Sequence, residues 1–128
     1  MARKFRTTGT VTLAQSGANN TVIAAPTGDS ASEREHFIRR LVAERTDTAV
    51  DVTLIFLNND TPTPRELLPR ITLNSDKGAV WLDFNDDTEV GVGGGKAFVV
   101  DASVANKARI TVEYRFGMAV PWPGAELQ

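Results

Sequence analysis

Asp83, Asn85, Asp87 and Glu89 alternate through the segment Asp83-Phe84-Asn85-Asp86-Asp87-Thr88-Glu89. Oxygen donors of this hard type, several within a few residues, are what a Ca²⁺ ion takes up. The segment departs from the EF-hand loop, which requires Gly where Thr88 stands and Glu where Gly94 stands. Its simpler reading is an acidic hairpin loop in which Asn and Asp side chains close Asx-turns. That reading is preferred, the quartet stays the one metal candidate, and no cofactor is expected.

Other residue types that could do chemistry fall away on spacing. The run Gly91-Val92-Gly93-Gly94-Gly95-Lys96 invites a phosphate-loop reading, but a P-loop needs Gly at Val90 and Ser or Thr at Ala97, so a flexible turn is expected. His36 is the only histidine, and any Ser-His-Asp triad would have to use it. It stands among Glu33, Arg34, Glu35 and Arg39, which suggests an exposed position, and no Gly-x-Ser-x-Gly segment accompanies it. A glycosidase pair would need two carboxylates converging, and nothing singles out two of the 16 acids. The chain has no cysteine, so disulfides, thiolate metal sites and cysteine nucleophiles are excluded. The expectation is a protein that is not an enzyme.

Residues suited to contacts are easier to find. Arg3, Lys4 and Arg6 make a small basic arm, by default a frayed, solvated end and on the sharper reading a docking arm for an acidic partner. Trp122 lies between Pro121 and Pro123 in a segment that cannot be regular structure; it is read equally as an interface anchor, a common role of Trp, or as a side chain folded back over its own sandwich. Trp81 sits in a β-type run, either as an ordinary sheet residue or on an exposed binding face. Net charge is −2, which argues against partners recognised through many phosphates. No apolar run approaches the roughly 20 residues of a membrane span. The basic start Met1-Ala2-Arg3-Lys4-Phe5-Arg6 is followed by Thr7-Thr8-Gly9-Thr10 instead of an apolar signal core, so a cytosolic product is expected.

The elements that must position these residues are short β-type runs separated by Asn, Asp, Gly and Pro clusters. Val50–Leu57 and Ile110–Phe116 are the clearest. The latter run begins at Ala108; Phe5–Ala14, Thr21–Ala25, Leu68–Leu73, Ala79–Phe84 and Lys96–Val100 are read as further strands, and Gln15–Asn20 as a turn. Glu33–Arg45 is ambiguous: Phe37, Ile38, Leu41 and Val42 fall at helical spacing, while a β-sandwich needs a strand before Val50. Strand is preferred. Ile55 and Leu57 make the end of the Val50–Leu57 run apolar on both faces, as in a central strand or a subunit contact. About eight strands predict an all-β, two-sheet sandwich of jelly-roll type. One domain over residues 1–116 is expected, with residues 1–6 as a possible arm and 117–128 as a Pro/Trp tail.

Thr21-Val22-Ile23-Ala24-Ala25-Pro26-Thr27-Gly28 is followed by Ile38-Arg39-Arg40-Leu41-Val42 and by the polar break Arg45–Ala49. Val52–Leu57 and the closing run Ala108–Phe116 come next. This order of segments resembles small virion proteins of tailed bacteriophages. The likeness spans residues 20–116 and is a pattern more than a signature; it departs at Ser30–His36, where a short Lys-rich turn is usual. The resemblance implies a jelly-roll-like virion component: capsid decoration (cement), head fibre base, or neck and tail attachment. It further implies a trimer or larger symmetric oligomer of the chain, contacts with major capsid or neck proteins, and no catalytic residues. Synthesis in the host cytoplasm and residence in the virion would follow.

The leading expectation is therefore a capsid decoration protein acting through subunit contacts, with Arg3, Lys4, Arg6, Ile55, Leu57, Trp81 and Trp122 as its interface. The alternatives are a neck or tail attachment protein, or a carbohydrate-binding, lectin-like sandwich. The last would use Trp81 beside the Asp83–Glu89 loop, although aromatics are only 7% of the chain and offer a thin stacking platform.

Overall fold

The computed structural model describes residues 5–85 and 88–118. Among the described residues ten strands follow one another: β1 (Arg6–Thr7), β2 (Val11–Thr12), β3 (Gly17–Ile23), β4 (Arg34–Arg45), β5 (Val52–Asn58), β6 (Ile71–Leu73), β7 (Ala79–Asp83), β8 (Val90–Gly91), β9 (Phe98–Ala102) and β10 (Ala108–Met118). The one helical element among the described residues is a 3₁₀ turn at Ala31–Glu33.

β1 and β2 both pair with β10, and β7 and β8 both pair with β4, so each couple is one interrupted strand position. Eight positions result. One sheet runs β1/β2–β10–β4–β7/β8 and the other β3–β9–β5–β6. All pairings are antiparallel. Numbered by position along the chain, the sheets read 1-8-3-6 and 2-7-4-5, the double Greek key of a jelly roll.

Alternation explains the core. On β5, Val52, Leu54 and Phe56 are fully buried, whereas Thr53, Ile55 and Leu57 on its other face are only partly covered. Phe56 stacks on Phe98 of β9 at 6.2 Å between ring centroids. Ile38, Leu41 and Ala43 of β4, with Ile110 and Val112 of β10, cover them from the opposite sheet. Two buried amides join loops to this frame. The Asn58 amide nitrogen donates to the Val92 carbonyl at 2.9 Å, while its oxygen accepts from the Asp60 and Arg65 amides at 3.0 and 2.9 Å. Asn20 donates to the Gln15 and Val100 carbonyls and accepts from the Gln15 amide.

Glu33–Arg45 is a strand from Arg34 onward, and its helix-like spacing has a physical source. The register with β10 steps from Arg40↔Glu113 to Ile38↔Tyr114, leaving Arg39 as an extra residue, a β-bulge. Inward residues therefore fall at His36 and Ile38, then at Leu41 and Ala43, so one step of three interrupts the period of two.

Several boundaries move: β5 runs Val52–Asn58, β6 begins only at Ile71, after Pro69, and β9 runs Phe98–Ala102. Gln15–Asn20 is not wholly a turn: β3 begins at Gly17, because the Asn20 side chain supplies bonds that make a polar stretch strand-compatible. Phe5–Ala14 is broken in the middle, with Gly9 at φ +67° between β1 and β2. β10 continues to Met118, two residues past its expected end at Phe116.

Candidate functional site

The outward face of the first sheet is built in cross-strand rows. Thr111, Val42 and Trp81 are directly paired across β10, β4 and β7. Trp81 is 71% exposed, the largest apolar side chain left open among the described residues. The neighbouring rows are charged and internally compensated. Arg40 reaches Asp83 at 3.3 Å and Glu113 at 3.9 Å, Arg39 reaches Glu113 at 3.7 Å, and Arg109 meets Glu44 at 2.6 Å. Arg39 also lies over the Phe5 ring at 4.4 Å, and Arg115 over Phe37 at 4.2 Å. This face thus offers an apolar row headed by Trp81 between neutralised ion pairs.

The second sheet's outward face is milder. Ile55 pairs with Asp101, and Leu57 with Val99, so Ile55, Leu57 and Val99 share one surface. Val99 is nearly covered, while Ile55 and Leu57 are half-buried. β5 is a central strand, between β9 and β6.

The four alternating oxygens of the 83–89 loop do not converge in their described members. Asp83 is paired with Arg40, and the Asn85 side-chain oxygen accepts from the Thr88 hydroxyl at 3.0 Å. The Glu89 carboxylate is turned inward, its side chain 3% exposed, and accepts from Arg115 at 2.9 Å. Asp87 lies outside the described residues. Among the described residues no three His, Cys, Asp or Glu side chains are grouped to hold a metal.

His36 is buried, not exposed. Its flanking charges occupy other directions, and its own place on β4 is an inward one. The ring donates from Nε2 to the Ala24 carbonyl at 3.0 Å and meets Tyr114 edge-on at 5.3 Å and Phe116 at 5.2 Å. Burial lowers its pKa below the ordinary 6.5; the Ala24 bond opposes this and the charge of Arg6 adds to it. With its donor spent on a backbone carbonyl and its ring shut among aromatics, His36 is a packing residue with no access to a substrate.

Of the basic arm, Arg6 belongs to β1, opposite Tyr114, with its guanidinium over the Phe116 ring at 5.7 Å. Arg3, Lys4 and Trp122 lie outside the described residues. Of the Gly91–Gly95 segment only Gly91 is strand, joined to Val90 in β8, and a turn follows. Gly95 has φ +70°, and a Cβ there would meet the Ser32 Cα at 3.0 Å. No helix of the described residues is long and apolar enough to cross a membrane.

No family model and no curated protein matches this chain. Its reading rests on its own residues and on the strand order they produce.

Proposed function

We propose that the chain is a non-enzymatic structural subunit of a bacteriophage particle, a capsid decoration protein that works by burying its outward faces against other subunits. The observation that carries this reading is Trp81. A sheet face that keeps its charges paired while leaving a large aromatic 71% exposed is suited to covering by protein. The jelly-roll order supports it, since that fold serves widely in capsid proteins. The resemblance of residues 20–116 supports it in the same direction. The mechanism is area, not chemistry: a stable contact needs on the order of 1,200–2,000 Å² of buried surface. Ile55 and Leu57 offer a second patch on the opposite sheet, so one subunit can touch neighbours on two sides. Neck or tail attachment uses the same module and differs only in the protein bound.

The test is sedimentation of the tagged chain with empty capsids and, separately, with tails lacking capsids. Co-sedimentation with capsids at saturating, lattice-limited stoichiometry is expected. Binding to tails alone transfers the chain to the neck. Binding to neither, with Ca²⁺-dependent retention on a glycan surface, replaces this reading by the lectin-like one.

A further inference from the structure

The two sheets have four edges, and three of them are blunted. β1/β2 consists of two-residue strands separated by Gly9 at φ +67°. β3 slips register against β9 twice, between Gly17 and Asn20 and again between Thr21 and Ile23. β6 has only three residues and follows Pro69. Short strands, bulges and nearby prolines are the usual means of keeping an edge from pairing with another chain. β7 carries none of them. Ala79-Val80-Trp81-Leu82-Asp83 holds unbroken register with β4 over its whole length, with no proline, glycine or lysine inside it.

The hydrogen-bond parity fixes what β7 presents. The Arg45 amide donates to the Gly78 carbonyl, and the Phe84 amide to the Arg39 carbonyl. Even-numbered residues of this strand therefore face β4. The N–H and C=O groups of Ala79, Trp81 and Asp83 point away from it, along an edge with which no strand of the described residues pairs.

We infer that the open edge of β7 pairs with β7 of a second copy of this chain, antiparallel about a two-fold axis at Trp81, joining the two outer sheets into one. The inference refines the assembly reading above by naming the partner and the strand. Three features fit this occupant. The register is self-complementary: Trp81 meets Trp81 of the second copy, and Asp83 meets Ala79, so no like charges are opposed. About six inter-chain backbone bonds then form from the outward groups of Ala79, Trp81 and Asp83. On the outward face the two indoles become a cross-strand aromatic pair, which favours antiparallel pairing and accounts for a tryptophan left open on a single copy. On the inward face Val80 falls opposite Leu82 of the second copy, covering two apolar side chains that the single chain leaves half-exposed. A two-fold contact is isologous and closes on itself, as most homo-oligomers do. An extended peptide from another protein would find the same backbone groups but would not need the pattern to be its own complement.

The test uses the full chain. Light scattering from low micromolar to about 1 mM is expected to give a concentration-dependent mass twice the 13.8 kDa of one chain. Trp81→Lys and Ala79→Pro should each shift the dimerisation constant by at least tenfold toward monomer while the melting curve stays cooperative. Neither change touches a bond to β4, because both residues face away from it. Since the chain has no cysteine, Trp81→Cys supplies a second readout. Directly opposed residues in a bonded pair lie about 5.5 Å apart, within disulfide range, so mild oxidation should yield a covalent dimer, whereas Thr21→Cys on the β3 edge should not. A chain monomeric at 1 mM, or an oligomer that Trp81→Lys leaves intact, overturns the inference. A dimer that binds neither capsids nor tails upholds it and removes the virion reading instead.

Discussion

His36 ties acid sensitivity to a single side chain. Its folded-state pKa is lowered, first by burial and further by Arg6, against the opposing Ala24 bond. Arg6 from β1, whose guanidinium lies over the Phe116 ring that flanks His36, is the charge that opposes a proton there. The unfolded chain therefore binds a proton below about pH 6.5 that the folded chain resists. Stability is complete above that pH and falls as the pH drops toward the folded value, by at most about 1.4 kcal/mol per unit. The carboxyls of Asp47 and Asp60 are held below 3.8, the former by Lys107 and the latter by Lys96, so their contributions are lost only at lower pH. Melting temperature should thus fall between pH 7 and pH 5 in the native chain, and His36→Phe should flatten that fall. A slope unchanged in the variant would assign the effect elsewhere. The sequence concealed this residue because the charges flanking it suggested solvent, and only its inward parity on β4 reveals the burial.

At the scale of elements, the bulge in β4 governs which residues face the core. Arg39 is the extra residue, and on both sides of it the strand alternates regularly. Deleting Arg39 leaves Ile38 and Leu41 inward with Arg40 between them, a plain strand that still matches β10. The losses include its pair with Glu113 and its contact over Phe5, together about 1–2 kcal/mol, and the Phe84 amide must find another carbonyl than that of Arg39. Deleting Val42 instead drives Glu44 toward the core and Ala43 outward, since a slip of one residue exchanges the two faces. Thermal melts should show a cooperative transition for the Arg39 deletion and none for the Val42 deletion; equal damage would contradict the bulge. The same feature decides how much was legible. Strands with unbroken alternation, such as Val52–Asn58 and Ala108–Met118, could be read directly from spacing. β4 imitated a helix because one inserted residue turned a step of two into a step of three. The Asp83–Glu89 alternation is read as a loop in preference to a cation site, and the geometry of its described members explains why even spacing does not make ligands converge: the chain leaves the sheet there and Glu89 turns in to Arg115.

The whole molecule is closed by its two ends. Residues near the start complete the first sheet against the last strand: Arg6 pairs with Tyr114 and Ile110 with Val11. Leu13, fully buried, bonds through its amide to the Ala108 carbonyl at 2.9 Å, and its carbonyl accepts from Asn106 at 2.9 Å. The Thr8 hydroxyl accepts from the Val112 amide at 3.0 Å. No local pattern announces such pairings; strand order at this separation in sequence follows only from the closed topology. Removing residues 1–14 would open the core at Leu13 and also strip the cover from β10, an eleven-residue strand that would then be a long, regular, unprotected edge. Two losses follow, and they can be separated. Leu13→Ala alone should cost about 2–5 kcal/mol through the cavity it leaves, with the chain remaining soluble. The truncation should in addition form large assemblies through β10. Made in the Trp81→Lys background, where the β7 edge is blocked, it should still grow well beyond a dimer by light scattering, while the full-length Trp81→Lys chain stays monomeric. A truncated chain that merely loses stability without growing would mean that the interrupted strands β1 and β2 fill the core but do not guard the edge.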